Sequence, residues 1–164
     1  MMTPTVYILI GPPASGKSTW RETFLSKSAY PTTVVSTDDL IEEYARENAL
    51  NYNDAFFQVN FSDIEKKMFS NLREAISRTD NIIVDRTSMR AKFRRRVLSN
   101  IPKTYKKVAV VFDIATPILL SRLHIRAADT GKMIPVKSVM EMIETYQEPT
   151  LEEFDSIIIE KQEA

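Results

Sequence analysis

Five short apolar runs rich in β-branched residues punctuate the chain: Val6 to Ile10, Thr33 to Ser36, Ile82 to Val84, Val108 to Phe112 and Ile157 to Ile159. They read as buried parallel strands, and the first four are separated by stretches of helical period. Phe57, Phe61, Ile64, Met68, Leu72 and Ile76 recur at three- or four-residue steps and predict one long amphipathic helix. Val136, Val139, Met140 and Ile143 predict a shorter helix begun by Pro135. Strands alternating with helices predict an α/β fold, a parallel sheet with helices on both faces that binds ligands at the carboxyl ends of its strands. Functional side chains are therefore expected just after the strands. The pattern holds no internal repeat, low-complexity tract or linker, and only the tail Gln162-Glu163-Ala164 is expected to fray.

The first strand runs directly into Gly11-Pro12-Pro13-Ala14-Ser15-Gly16-Lys17-Ser18-Thr19, which satisfies every fixed position of the phosphate-binding loop G-x-x-x-x-G-K-[ST]. A strand ending in such a loop turns the backbone N–H groups of Ala14, Ser15, Gly16 and the residues through Thr19 toward a nucleotide phosphate at the positive end of the next helix. Lys17 is expected to neutralise β- and γ-phosphate oxygens and the Ser18 hydroxyl to ligate Mg²⁺. A side chain at Gly11 or Gly16 would obstruct the turn, and two of the three glycines in the chain stand at these positions. The donor is a nucleoside triphosphate; the loop does not say what receives the phosphoryl group.

At 164 residues the length suits a single domain. Lys plus Arg and Asp plus Glu stand at 22 each, so there is no global positive charge to mark a nucleic-acid binder, and any polyanion site must be local. Without cysteine there are no disulfides, thiolate metal sites or cysteine nucleophiles. No apolar stretch approaches the roughly 20 residues needed to cross a bilayer, and the expectation is a cytoplasmic protein free of membrane.

The second strand leads into Ser36-Thr37-Asp38-Asp39, where one carboxylate can orient an attacking hydroxyl and take its proton. Asp38 is expected to do so, with Asp39 capping a helix that begins at Leu40. The third strand ends in Val84-Asp85-Arg86-Thr87-Ser88; Asp85 is expected to help position Mg²⁺, with a helix cap as its alternative role. Arg90, Lys92, Arg94, Arg95 and Arg96 form the densest local positive charge, divided between acceptor binding and a solvated helix face. After the fourth strand, Thr116 and Pro117 start a helix on which Arg122 and Arg126, four residues apart, project from one side. Ala127 to Met133 reads as a mobile flap whose closure would bring arginine onto the transferring phosphoryl and exclude water. His124, the only histidine, is expected to be a surface or packing residue, and Trp20 to pack on the sheet.

Together G-P-P-A-S-G-K-S-T-W, S-T-D-D, V-D-R-T, and R-L-H-I-R ahead of the flap and I-P resemble the kinase module of phage-type polynucleotide 5′-kinases. The resemblance spans nearly the whole chain and extends to Tyr146-Gln147-Glu148-Pro149-Thr150 with Glu153-Phe154-Asp155. It implies a P-loop kinase fold with a helical lid over about 122–135, ATP and Mg²⁺ as cofactors, and DNA or RNA as acceptor. By the same resemblance Lys17 and Ser18 bind the donor, Asp38 is the general base, Arg126 stabilises the migrating phosphoryl and Arg122 assists at the donor side. Asp85, with Arg86, Thr87 and Arg90, would support the acceptor. Phage members carry an arginine three residues after the base to hold an acceptor phosphate, whereas this chain has Ile41.

The leading expectation is thus phosphoryl transfer from ATP to a 5′-OH end. A hydroxymethylated base in DNA or a small-molecule hydroxyl is the alternative acceptor. A nucleotide-dependent switch stands behind both, since the guanine-selective N-K-x-D sequence is absent. Action alone, assembly into a homo-oligomer, and work beside a separately encoded phosphatase or ligase all remain open. If the chain is phage-encoded, the compartment is the host cytoplasm.

Overall fold

The computed structural model describes residues 3–163. All five expected strands form, each extended by one to three residues: β1 (Thr5–Ile10), β2 (Thr32–Ser36), β3 (Asn81–Asp85), β4 (Lys106–Asp113) and β5 (Ser156–Lys161). They pair in parallel in the order β2-β3-β1-β4-β5. Val6 and Ile8 of β1 lie in register with Ile82 and Val84 of β3 on one face, and Tyr7 lies in register with Ile83 on the other, so the central strands present apolar side chains to both faces.

On one face Val6, Ile8 and Ile10 pack with Met68, Leu72 and Val97, while on the other Leu9 and Val110 meet Tyr7, Trp20 and Phe24. Trp20 stacks on Phe24 with ring centroids 5.2 Å apart, in the packing role expected for it. The helices that supply these contacts are α1 (Lys17–Lys27), α2 (Thr37–Glu47), α3 (Tyr52–Gln58), α4 (Phe61–Ser77), α5 (Ala91–Leu98), α6 (Thr116–Thr130) and α7 (Val136–Glu144). Met68 and Leu72 have no exposed surface, and each contributes about 1.5–3 kcal/mol by leaving water, which fixes α4 against the sheet.

The single long helix expected from Phe57 to Ile76 is two. Val59 is extended, at φ −63° and ψ 146°, and Asn60 caps α4 by accepting from the Ser62 and Asp63 amides at 2.9 and 3.3 Å. The cap breaks the phase of the apolar stripe. Ile64, Met68 and Leu72 are buried, but Phe57 is 85% exposed and Phe61 half-exposed. The expected flap is also shorter, because α6 runs on to Thr130 and ends at Gly131 in the left-handed conformation, φ 73°.

Arg94 departs further from expectation. Its side chain is fully buried, so it cannot serve an acceptor. Its Nε and Nη2 donate to Glu153 at 3.0 and 3.2 Å, and its Nη1 and Nη2 donate to the Ser88 and Glu148 carbonyls at 2.9 and 3.4 Å. A guanidinium taken out of water persists because all three of its nitrogens donate, here to tie α5 to the segment before β5. Arg94→Met strands the Glu153 carboxylate and two carbonyls. The expected loss is about 3–5 kcal/mol, read from the shift in urea midpoint at unchanged m-value; a loss under about 1 kcal/mol would show that the strut is not stabilising.

The end of the chain is tied down as well. The Gln162 amide donates to Asp113 O at 2.8 Å, and the Arg122 guanidinium donates to Gln162 Oε1 at 3.0 Å and Glu163 O at 2.9 Å. The expected fraying therefore does not apply to Gln162 and Glu163, since β5 delivers them onto α6; Ala164 lies outside the described residues.

Candidate active site

The phosphate-binding loop closes on itself between β1 and α1. Gly11 N donates to Thr87 O at 3.0 Å, which joins the loop to the chain leaving β3. A Cβ on Gly11 would lie 2.5 Å from Ser15 Oγ and 3.0 Å from Phe112 Cβ, so the loop's tightness demands glycine. Gly16 has φ 104°, and a Cβ there would lie 2.4 Å from Gln162 Oε1.

Three observations mark the loop as an anion site. Ser15 Oγ is buried with no hydrogen-bond partner among the described residues. The first turn of α1 carries no acidic residue, leaving its N–H groups and positive end to an anion. Lys17 Nζ is turned back into the loop, donating to Gly11 O and Pro12 O at 2.8 Å each. Burial pushes the Lys17 ammonium down from its ordinary value to about 8, with Asp85 opposing, Arg126 adding to the fall and Asp38 opposing it. An ammonium that burial destabilises is a ready partner for phosphate charge.

The same influences locate the other candidates. Asp85 at the end of β3, Asp38 just after β2 and Arg126 in the second half of α6 all act on the Lys17 charge, so two strand ends and one helix bring charged groups near the loop. The expectation for Asp39 is overturned. The helix starts at Thr37, Ser36 is its cap and accepts from the Asp39 amide at 3.2 Å, and the Asp39 carboxylate is free to pair elsewhere. Its two oxygens accept from Arg21 at 3.2 and 2.7 Å, while Arg21 Nη1 also reaches Asp85 at 2.9 Å.

Arg21 escaped sequence reasoning. It stands four residues beyond Lys17 on α1, and that helical step from a loop lysine was its available signal. Its guanidinium holds Asp85 in place as an ion-pair partner rather than as a helix cap.

Asp38 remains accessible, with a side chain 41% exposed. The Tyr52 hydroxyl donates to its Oδ1, and the Lys132 ammonium lies 3.5 Å from its Oδ2 and pairs with Glu42. Neither Tyr52 nor Lys132 was foreseen, since both reach Asp38 from segments distant in sequence.

The expected acceptor residues scatter. Arg86 lies over the Phe93 ring at 4.0 Å and 3.8 Å from Glu65, at the end of β3. Thr87 meets the loop through its backbone oxygen, and Arg90 is exposed at the start of α5 without a capping side-chain bond. Arg96 pairs with Glu65, as a residue of a solvated helix face. Ile41 is buried in the core, so the position where phage members place a phosphate-holding arginine faces inward here. Arg122 and Arg126 divide: the first is engaged by the chain end, the second acts on Lys17 and Tyr52. His124 is exposed, as expected of a surface residue.

Residues 6–149 match the model of a family described as "AAA domain". The chain belongs to the AAA domain family. No curated protein matches this AAA domain. Among solved structures it is similar to a chain of the Pnkp1/Rnl/Hen1 RNA repair complex, at 22% identity and a TM-score of 0.73 over 88% of this chain and 44% of that one. It therefore spans less than half of that chain. A gluconokinase from Sinorhizobium meliloti 1021 aligns at 16% identity with a TM-score of 0.60, over 98% of this chain and 84% of its own. Kti12 of Chaetomium thermophilum, in complex with ADP-AlF3, aligns at 14% with a TM-score of 0.63, over 95% and 88%. At such identities the likeness is one of fold, and the fold is that of P-loop kinases. The resemblance read from the motifs holds at that level. No helix among the described residues is long and apolar enough to cross a membrane.

Proposed function

We propose that this AAA domain transfers the γ-phosphoryl group of ATP to an alcohol, with the 5′-OH end of DNA or RNA as acceptor. The observation that carries the reading is a loop built for phosphate, with Lys17 Nζ held on the Gly11 and Pro12 carbonyls and the Asp38, Asp85 and Arg126 charges all acting on that ammonium. A switch that hydrolyses its nucleotide would need to place a water. The accessible Asp38 carboxylate suits the orienting of an alcohol, and Arg126 on α6 would supply the transition-state cation.

Lys17 would leave the Gly11 and Pro12 carbonyls for the β- and γ-phosphate oxygens, where loop N–H groups and the orphaned Ser15 hydroxyl add donors. Asp38 would orient the alcohol and take its proton as the bond to phosphorus forms. Arg126 would neutralise charge spreading over the phosphoryl oxygens. The segment 122–135, read as a lid, would exclude water from the donor.

Mg²⁺ suits the groups present. The described residues include no cluster of three Asp, Glu, His or Cys side chains able to hold a metal, so the cation fits as one delivered with the phosphates. Ser18, exposed at the start of α1, and Asp85 would hold it. When bound, it supplies neutralisation of phosphate charge.

The inward-facing Ile41 favours keeping a second acceptor class in view, an internal hydroxymethylated base or a small-molecule hydroxyl. A side-by-side assay with γ-labelled ATP separates them, offering a 5′-OH oligonucleotide, duplex DNA bearing hydroxymethylpyrimidines, nucleosides and sugars. Label at the 5′ end of the oligonucleotide is expected. Label confined to the internal base or to a small molecule moves the assignment to that acceptor, and phosphate release that ignores every acceptor removes the kinase reading.

A further inference from the structure

We infer that Tyr52 and Lys132 are positioning residues for Asp38, and that they make the assembly of the base depend on docking of the lid against α3. The inference rests on the kinase reading above and deepens it. Asp38 occupies the first turn of α2 with much of its side chain open to water, where an unrestrained carboxylate would sample several rotamers. Two donors from elsewhere in the chain restrain it. The Tyr52 hydroxyl, at the start of α3, donates to Oδ1, and the Lys132 ammonium, just beyond α6, lies 3.5 Å from Oδ2. A carboxylate offers about four lone-pair sites, so the two donors fix its plane and still leave it able to accept from an incoming alcohol.

The surroundings suit each donor to that task. Burial, the hydrogen bond to Asp38 and the Asp38 charge push the Tyr52 phenol well above its ordinary value. It stays a donor and does not compete with Asp38 for the acceptor's proton. Lys132 is largely enclosed, pairs with Glu42 one turn beyond Asp38, and lies 4.6 Å over the Tyr52 ring. Without that ammonium, Asp38 and Glu42 would face each other as like charges at i and i+4.

Lys132 reaches this place only if the chain beyond α6 lies against α3. Asn53, the neighbour of Tyr52, holds it there: its Nδ2 donates to Gly131 O at 2.6 Å and its Oδ1 accepts from Met133 N at 3.3 Å. The same α6 carries Arg126, so one docking event brings the phosphoryl-stabilising arginine and the base-restraining lysine into place. Donor and acceptor halves would thereby be completed together.

The test is a set of double-mutant cycles in the acceptor assay, with ATP and whichever hydroxyl acceptor the wild-type protein uses. Tyr52→Phe and Lys132→Met are each expected to lower kcat roughly tenfold, a share of the effect of a general base, with the KM for ATP unchanged and with Lys132→Arg recovering most of the loss. In an Asp38→Ala background the same substitutions should cost nothing further, because their target is gone. Amide exchange at Met133 should quicken in Asn53→Ala, which reads lid docking without any turnover. Unchanged kcat in Tyr52→Phe and Lys132→Met, or full losses persisting beside Asp38→Ala, would overturn the inference while the kinase reading stands. If Asp38→Ala itself turns over like the wild type, the reading falls and takes the inference with it.

Discussion

Asp38→Asn should lower turnover by about 10²–10⁴-fold while leaving ATP affinity close to that of the wild type. The substitution keeps the shape of the side chain and an oxygen able to accept from Tyr52, whose hydroxyl donates to Asp38 Oδ1. What it removes is the capacity to take a proton. The donor should be held as before, because Lys17, the loop amides and the start of α1 form that half of the site from a separate stretch of chain. Steady-state kinetics with varied ATP and saturating acceptor separate the two effects. A fall in kcat at constant KM for ATP supports the base assignment, and wild-type turnover would exclude it.

Lys17→Met should remove transfer to a comparable extent, by on the order of 10³-fold or beyond, since it deletes the cation aimed at the charge that develops on the phosphoryl oxygens. The same variant carries a second, thermodynamic signature. In the folded protein without nucleotide, Lys17 releases its proton at about 8, against an ordinary value of 10.5. Below pH 8 both folded and unfolded chains are protonated, and the folded state carries the whole cost of the buried charge. Between pH 8 and 10.5 the unfolded chain holds more protons at this residue, so stability rises with pH. Wild-type protein should therefore gain on Lys17→Met across that window. The gain is at most about 3 kcal/mol, and less where water still reaches the half-buried side chain. Urea unfolding of both proteins at pH 7, 9 and 10.5 measures it. A pH-independent difference would mean that the ammonium is well solvated.

Much of this architecture is written locally. The central strands β1, β3 and β4 were visible because a strand covered on both faces must be apolar along its length, and Ile8, Val84 and Val110 obey that requirement, whereas the edge strand β5 keeps the apolar run with Ile158 and Ile159 exposed. The phosphate loop was visible because its glycines answer to backbone geometry, with Gly16 at φ 104° and Gly11 against Ser15. The failures share a cause. Asp39 looked like a cap because Asp caps helices, but Ser36 took the position first and Arg21 claimed the carboxylate. The run from Phe57 to Ile76 kept helical spacing across a break that Asn60 imposes, since spacing alone does not register a cap. Arg94 stood among solvated neighbours in sequence and is the one that the fold turns inward, against Glu153, whose distance along the chain hid the pairing.

The site divides in the same way. Lys17 is fixed by its loop and could be placed from nine consecutive residues. Tyr52, Lys132 and Asn53 act on Asp38 and on one another across α2, α3 and the end of α6, and no periodicity announces such contacts. Their residue types are ordinary. Only the fold makes them neighbours.

The most direct test of the account is the structure of a ternary complex with a non-hydrolysable ATP analogue, Mg²⁺ and a short 5′-OH oligonucleotide. The terminal oxygen should lie about 2.6–3.2 Å from an Asp38 carboxylate oxygen and about 3–3.5 Å from the γ-phosphorus, in line with the bond to be broken. An Asp38 side chain turned away from the triphosphate, or an oligonucleotide end bound elsewhere with that carboxylate facing solvent, would contradict it.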